Sequence, residues 1–254
     1  MDMIWFILML GFASAGISNQ SPAARTMVEI QGGIYTPLYS LDSQKITVKP
    51  FSMDVYPVTN ADFLAFVKKY PDWKKSTAKR LYADSNYLRH WASDTEFPQY
   101  LSNSPVVNVS WFAAKRYCEC EGKRLATTAE WELAAKASPT SKDGSRDTAF
   151  RQWLIQVLSK PSGNATPAVG LTPRNYYGVY DLHGLVWEWT YDFNSALTTG
   201  ESRGNSTLDN SLFCGGGSFA SKDVSNYPAF MRFAIRSSVK ARYCVPNLGF
   251  RCVR

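Results

Sequence analysis

The clearest pattern along the chain is helical. Phe63, Phe66 and Val67 recur at helical spacing behind Thr59, a good N-cap. Asp62 follows three residues on, where negative charge favours a helix N-terminus, so a helix is predicted to about Lys69. Ser110 caps a second helix from Trp111 to about Glu121, and Gly122 ends it in the C′ position. Thr127 and Glu130 form a capping box for a third helix, with Trp131, Ala134 and Ala135 on its apolar face. Phe150, Trp153, Leu154, Val157 and Leu158 fall at i, i+3, i+4, i+7 and i+8, a fourth and amphipathic helix. It either covers its own core or presents a docking face. Strand pattern is sparse. Residues 27–34 and 45–48 read as strands, the second with Ile46 and Val48 inward. Residues 70–100 form a long polar-aromatic stretch with turn signals, of the kind that usually serves as a lid or carries function.

Segment 176–192 stands apart, reading Tyr-Tyr-Gly-Val-Tyr-Asp-Leu-His-Gly-Leu-Val-Trp-Glu-Trp-Thr-Tyr-Asp. Asp181 and Glu188 bracket a glycine at 184, and two tryptophans flank Glu188. A carboxylate taken out of water costs several kcal/mol unless a cation or hydrogen bonds meet it. Two readings follow from the residues. In one, Asp181 caps a turn and Glu188 pairs with an arginine. In the other, both give oxygens to calcium, with backbone carbonyls around Gly184 and Val186 completing one side.

Composition narrows the class. Of 254 residues, 28 are basic and 21 acidic, a formal charge of +7, and the densest basic stretch is 72–80. The charge reads as a solvated basic face or as a surface for an anionic partner or a membrane, and no groove-reading nucleic-acid motif accompanies it. The chain carries 8 Trp, 14 Tyr and 14 Phe, which suits a loop-rich fold filled by large side chains. Residues 1–15 read as a secretory signal with the small-residue site Ala13-Ser-Ala, although Asp2 is unusual in such a leader. The apolar run is too short to span a bilayer. Residues 16–26 read as a tether, and 27–254 as one domain. Export implies a periplasmic or secreted protein, in which disulfides persist. The five cysteines are Cys118, Cys120, Cys214, Cys244 and Cys252, an odd number. With two histidines, a three-histidine metal site is excluded.

Taken together, the 176–192 segment and six further blocks in order resemble the formylglycine-generating-enzyme superfamily, the sulfatase-modifying-factor domain. The 176–192 segment is similar to its Tyr-Gly-Leu-Tyr-Asn/Asp-x-x-Gly-Asn-Val-Trp-Glu-Trp signature, with Leu185 where the family usually has Asn. Met27-Val-Glu-Ile-Gln-Gly-Gly33 resembles its opening, and Pro50-Phe-Ser-Met-Asp-Val-Tyr-Pro-Val-Thr-Asn60 its first helix entry. Pro105-Val-Val-Asn-Val-Ser-Trp111 and Gly122-Lys-Arg-Leu-Ala-Thr-Thr-Ala-Glu-Trp-Glu132 resemble its next two. Gly216-Gly-Ser-Phe219 and Asn247-Leu-Gly-Phe-Arg-Cys252 resemble its close. The resemblance implies an α+β, loop-rich, C-type-lectin-like fold, in which the fourth helix is an insertion.

It also implies site residues. Asp181, Gly184, Val186 and Glu188 match one calcium site of the family, which favours the cation reading. Cys118 and Cys252 match a family disulfide, while a second family bridge is replaced by Ala135 and Ala234. The resembling enzymes oxidise a substrate cysteine with two thiols that bind Cu(I). Here Ser221 and Asn226 fall at those positions, while Ser218, the serine of the Gly-Gly-Ser turn, is kept. Neither a hydroxyl nor an amide holds Cu(I). The remaining cysteines leave two readings: a Cys214–Cys244 disulfide with Cys120 free, or a relocated Cys214/Cys244 thiol pair that binds copper or does redox work, with Ser218 beside it. The Phe213-Cys-Gly-Gly-Gly-Ser close resembles the exported accessory proteins that accompany copper nitrite reductases in denitrification. The functions in view are therefore an accessory or maturation factor acting on an exported protein or peptide, an oxidoreductase using Cys214 and Cys244, and a non-catalytic calcium-stabilised binding module.

Overall fold

The computed structural model describes residues 26–36, 45–159, 166–194 and 227–254. The expected leader and tether at 1–25, and Cys214, Ser218, Ser221 and Asn226, lie outside the described residues. The architecture is mixed helix and sheet, as the resemblance implies. Four short strands form one antiparallel sheet, in the order β1 (Met27–Ile30), β4 (Phe51–Asp54), β8 (Cys252–Val253) and β5 (Arg124–Leu125). The first and last strands are thus separated only by β4. A separate ribbon pairs β2 (Gly33–Tyr35) with β3 (Ile46–Val48), and β6 (Trp187–Glu188) runs parallel to β7 (Leu248–Gly249).

The helices begin where the caps place them. Helix α1 (Asn60–Lys69) has a complete capping box, Thr59 exchanging hydrogen bonds with Asp62. Helix α2 (Trp111–Cys120) starts with the Ser110 hydroxyl accepting from the Ala113 N–H at 3.2 Å. It closes at Gly122, whose φ of +64° is a left-handed conformation suited to glycine. Helix α3 (Thr128–Ala135) carries the Thr127/Glu130 box, and Arg124 bonds Glu130 with both terminal nitrogens. Asp147 caps α4 (Thr148–Ser159) by accepting from the Phe150 N–H at 3.0 Å. Helix α5 (Tyr227–Ser238) packs on α4. Of the two uses foreseen for α4, the structure gives the first, with Leu154 turned inward and buried.

Three expectations need correction. Residues 27–34 are two strands rather than one. A Cβ at Gly32 would lie 2.1 Å from the Val48 carbonyl oxygen, so the chain crosses itself there and the ladder changes partner. Ile46 is 41% exposed while Val48 is buried, because β2–β3 is a two-stranded ribbon whose outer end, where Ile46 pairs with Tyr35, runs past the core. The stretch 70–100 is packed rather than a lid. Ala83, Tyr87, Leu88 and Trp91 are buried in the core with Phe63, Trp189 and Phe250. The Asn60 amide pins the following turn by donating to the Leu101, Ser104 and Pro105 carbonyls. A second apolar cluster, including Ile30, Met53, Trp131, Leu182 and Val253, fills the space between the sheet and α3. The Cys118–Cys252 disulfide ties α2 to β8, as the resemblance implies.

Candidate functional site

The 176–192 segment turns three times through conformations that favour glycine or a short acidic residue. Gly178, Asp181 and Gly184 have φ of 88°, 61° and 84°. Asp is among the few side chains that tolerate this region. Its carboxylate repays the turn by clipping the preceding loop. Oδ2 accepts from the Gly170 N–H at 2.5 Å, and Oδ1 from the Thr172 hydroxyl at 2.9 Å and its N–H at 3.2 Å. The Asp181 N–H returns a bond to the Thr172 hydroxyl at 2.8 Å.

Glu188 is buried on β6 and meets Arg251, which arrives on the last turn of chain before β8. Arg251 Nε lies 3.0 and 2.9 Å from the two carboxylate oxygens, and a terminal nitrogen lies 2.7 Å from Oε1. Its other N–H groups donate to the carbonyls of Asp54, Val55 and Tyr180. All five guanidinium donors are thereby used, which is what lets a charge remain buried. The indole N–H of Trp131 adds a fourth contact to Glu188, at 2.8 Å.

The next residue along α3, Glu132, faces the other way. Arg232 reaches it through two nitrogens at 2.8 Å each, and Arg236 through one at 2.7 Å. Burial works to raise the Glu132 pKa, but the two guanidinium charges outweigh it and hold it at about 2. Both arginines also lie over the Trp131 ring, 5.7 and 5.3 Å from its centre. Burial, and then the nearby Glu132 charge, push the Tyr35 phenol up.

The Asp181, Gly184, Val186 and Glu188 set was the expected calcium site. Both Glu188 oxygens face a guanidinium, and both Asp181 oxygens accept from the 170–172 loop. A divalent ion on Glu188 would have to displace Arg251 or sit against its charge. The side chains as arranged therefore do not fit a calcium held by these two carboxylates, and no chemistry is routed through one. Among the described residues, no three His, Cys, Asp or Glu side chains cluster as metal ligands.

Of the proposed thiols, Cys244 alone falls within the described residues. It has no disulfide partner among the described residues, is buried, and donates its S–H to the Arg242 carbonyl at 3.5 Å. Burial, and then the Asp84 carboxylate, push its pKa up to about 12. A thiol so protonated is a poor nucleophile and a poor copper ligand. Cys120 is free and half-buried on α2.

The sequence did not reveal three features. Arg251 was foreseen only as an unnamed arginine. The Glu132–Arg232–Arg236 cluster was not foreseen, although Glu132 set among Trp131, Leu133, Ala134 and Ala135 and two arginines at i and i+4 are its signal. The third joins buried Asn60 and Trp91 to half-buried His90: the Asn60 side-chain oxygen accepts from Trp91 Nε1 and faces His90 Nε2, each at 2.9 Å.

The sulfatase-modifying factor enzyme 1-like domain family matches residues 14–254. A bovine protein named inactive C-alpha-formylglycine-generating enzyme 2 is 30% identical over 248 residues, covering 82% of this chain and 78% of that protein. The mouse formylglycine-generating enzyme is 29% identical over 288 residues, covering 92% and 77%. The structure of PvdO from Pseudomonas aeruginosa aligns with a TM-score of 0.49 at 22% identity, covering 90% of this chain and 93% of that one.

Proposed function

The chain belongs to the sulfatase-modifying factor enzyme 1-like family, and on that footing we propose that it is an exported accessory or maturation factor which works by binding a protein or peptide rather than by oxidising cysteine. One observation carries the reading. Cys244 is the thiol nearest in sequence to the closing motif at 247–252, and it is buried, bonded to a carbonyl and held protonated to about pH 12. Formylglycine formation needs thiolate sulfur at a soft metal. Sequence adds that Ser221 and Asn226 stand where the family's enzymes carry that pair. That relatives of comparable identity include proteins named inactive supports the same reading.

The scaffold supplies what such a factor needs. Two buried ion-pair clusters, one of them on Glu188 of the 176–192 segment itself, and the Cys118–Cys252 disulfide hold this part of the core rigid, which supports a binding role because a rigid surface loses less freedom on association. The client we favour is a periplasmic copper enzyme of denitrification, on the likeness of residues 213–218 to that accessory group. The test is direct. The reduced, Cu(I)-supplied protein is incubated in air with a Cys-x-Pro-x-Arg peptide and the product is weighed by mass spectrometry. Unchanged peptide is expected. Formylglycine formed by the native protein and lost in Cys214→Ser or Cys244→Ser would overturn the proposal.

A further inference from the structure

A cavity of about 250 Å³ lies between the end of α3, the first turns of α4 and the 172–183 loop. Its walls are largely apolar, with Ala137, Phe150, Trp153, Val179 and Leu182 among them. The polar residues that reach it are mostly committed elsewhere. The Thr172 hydroxyl is exchanged with Asp181, the Asn175 amide donates to the Ala134 carbonyl, and Asp147 caps α4.

His183 is the exception. It lines the cavity and packs edge-on against Trp131, Phe150 and Trp153 at 5.9 to 6.3 Å between ring centres. Its Nε2 lies 2.8 Å from the Ala135 carbonyl. A carbonyl only accepts, so Nε2 carries the hydrogen and Nδ1 is a bare acceptor. Nδ1 has no hydrogen-bond partner among the described residues. Burial, and then the charge of Arg232, lower the His183 pKa to about 4, so the ring stays neutral at pH 7.

We infer that this cavity is a binding site for a neutral, mainly aromatic small molecule bearing one N–H or O–H, which it donates to His183 Nδ1. Size fits the class: an apolar cavity of about 150 Å³ in another protein holds benzene, so this one admits a fused two-ring molecule. Polarity fits too, because an apolar pocket with one placed acceptor selects for shape and a single donor. An ion is disfavoured because the walls are largely apolar and the Asp147 carboxylate there is engaged at the N-terminus of α4. The inference does not depend on the accessory role above, since the cavity lining includes no cysteine.

The probe is indole, with 1-methylindole as the shape-matched compound lacking the donor. Binding to the full chain is read by calorimetric titration and by the rise in melting temperature. Saturable binding of indole is expected, with 1-methylindole weaker by about tenfold, the worth of one hydrogen bond. Ala149 lines the cavity from an exposed position on α4, so Ala149→Leu narrows it without disturbing the core and should abolish binding. Lack of saturable binding by the native protein, equal affinity for the two compounds, or native-like binding by Ala149→Leu would each overturn the inference.

Discussion

Trp131 donates its indole N–H to the Glu188 carboxylate at 2.8 Å while its ring carries the Arg232 and Arg236 guanidinium groups on its face. One side chain thus touches both buried ion pairs, Glu188–Arg251 at its edge and Glu132 with its two arginines at its face. That coupling means neither pair can be altered in isolation, and a Trp131–Glu188 double-mutant cycle should show an interaction of about 1 kcal/mol or more.

Glu188→Gln removes a charge and leaves Arg251 buried with none opposite it. Breaking a buried pair in this way costs about 3–5 kcal/mol. Denaturant unfolding of the purified protein should show that loss, and equally in calcium and in chelator, because Arg251 already occupies the carboxylate. A loss larger in calcium than in chelator would place a cation on Glu188 and restore the calcium reading.

The pH dependence has two parts with the same sign. The two guanidinium charges hold the folded Glu132 pKa at about 2 against an ordinary glutamate value of 4.5, so its contribution is present above about 4.5 and is lost as pH falls towards 2. His90 and His183 have folded values of about 4 against 6.5. Between those limits the unfolded chain binds protons that the folded chain refuses. Stability therefore falls as pH drops from 6.5 to 4, by at most about 1.4 kcal/mol per pH unit for each histidine. Urea midpoints measured across this range should decline on the acid side, and His183→Gln should flatten the slope by about half.

Local signals carried the helices well. Thr59, Ser110 and Thr127 announce helix starts through chemistry confined to four residues, and the structure has all three. What the sequence withheld is long-range. Glu188 and Arg251 are 63 residues apart, and Glu132 and Arg232 are 100 apart, so no local pattern joins them. Ile46 looks like a core position because alternation alone cannot say that its ribbon outruns the sheet. Residues 70–100 look like a lid because their anchors, such as the Asn108 carbonyl accepting from the Leu88 N–H, lie beyond the segment itself.

Cysteine mapping under non-reducing conditions should recover a Cys118–Cys252 peptide pair and an alkylatable Cys120. The bridge spans 134 residues of sequence. Closing so long a loop stabilises by about 5 kcal/mol in the chain-entropy account. Reduction should accordingly lower the melting temperature sharply, whereas Cys120→Ser should leave it unchanged. Both Cys118 and Cys252 alkylated in oxidised protein would contradict the pairing.

The Cys244 thiol offers the sharpest separation between a redox protein and a binding one. Its proton is kept by burial and by the Asp84 carboxylate, which also accepts from the Cys244 N–H at 3.2 Å. Thiolate is the reacting form, so alkylation rate follows the thiolate fraction. In a Cys120→Ser/Cys214→Ser background, iodoacetamide should modify native Cys244 only slowly, its rate still climbing at pH 10. Asp84→Asn removes the negative charge while keeping the side chain's shape, so the apparent pKa should move down and modification should speed up at a given pH. Unfolding in urea should bring the rate to that of an ordinary thiol, which separates protonation from simple lack of access. A native Cys244 that reacts with an apparent pKa near 7 would instead mean an activated thiolate, and the oxidoreductase reading with Cys214 would then be the better account of the chain.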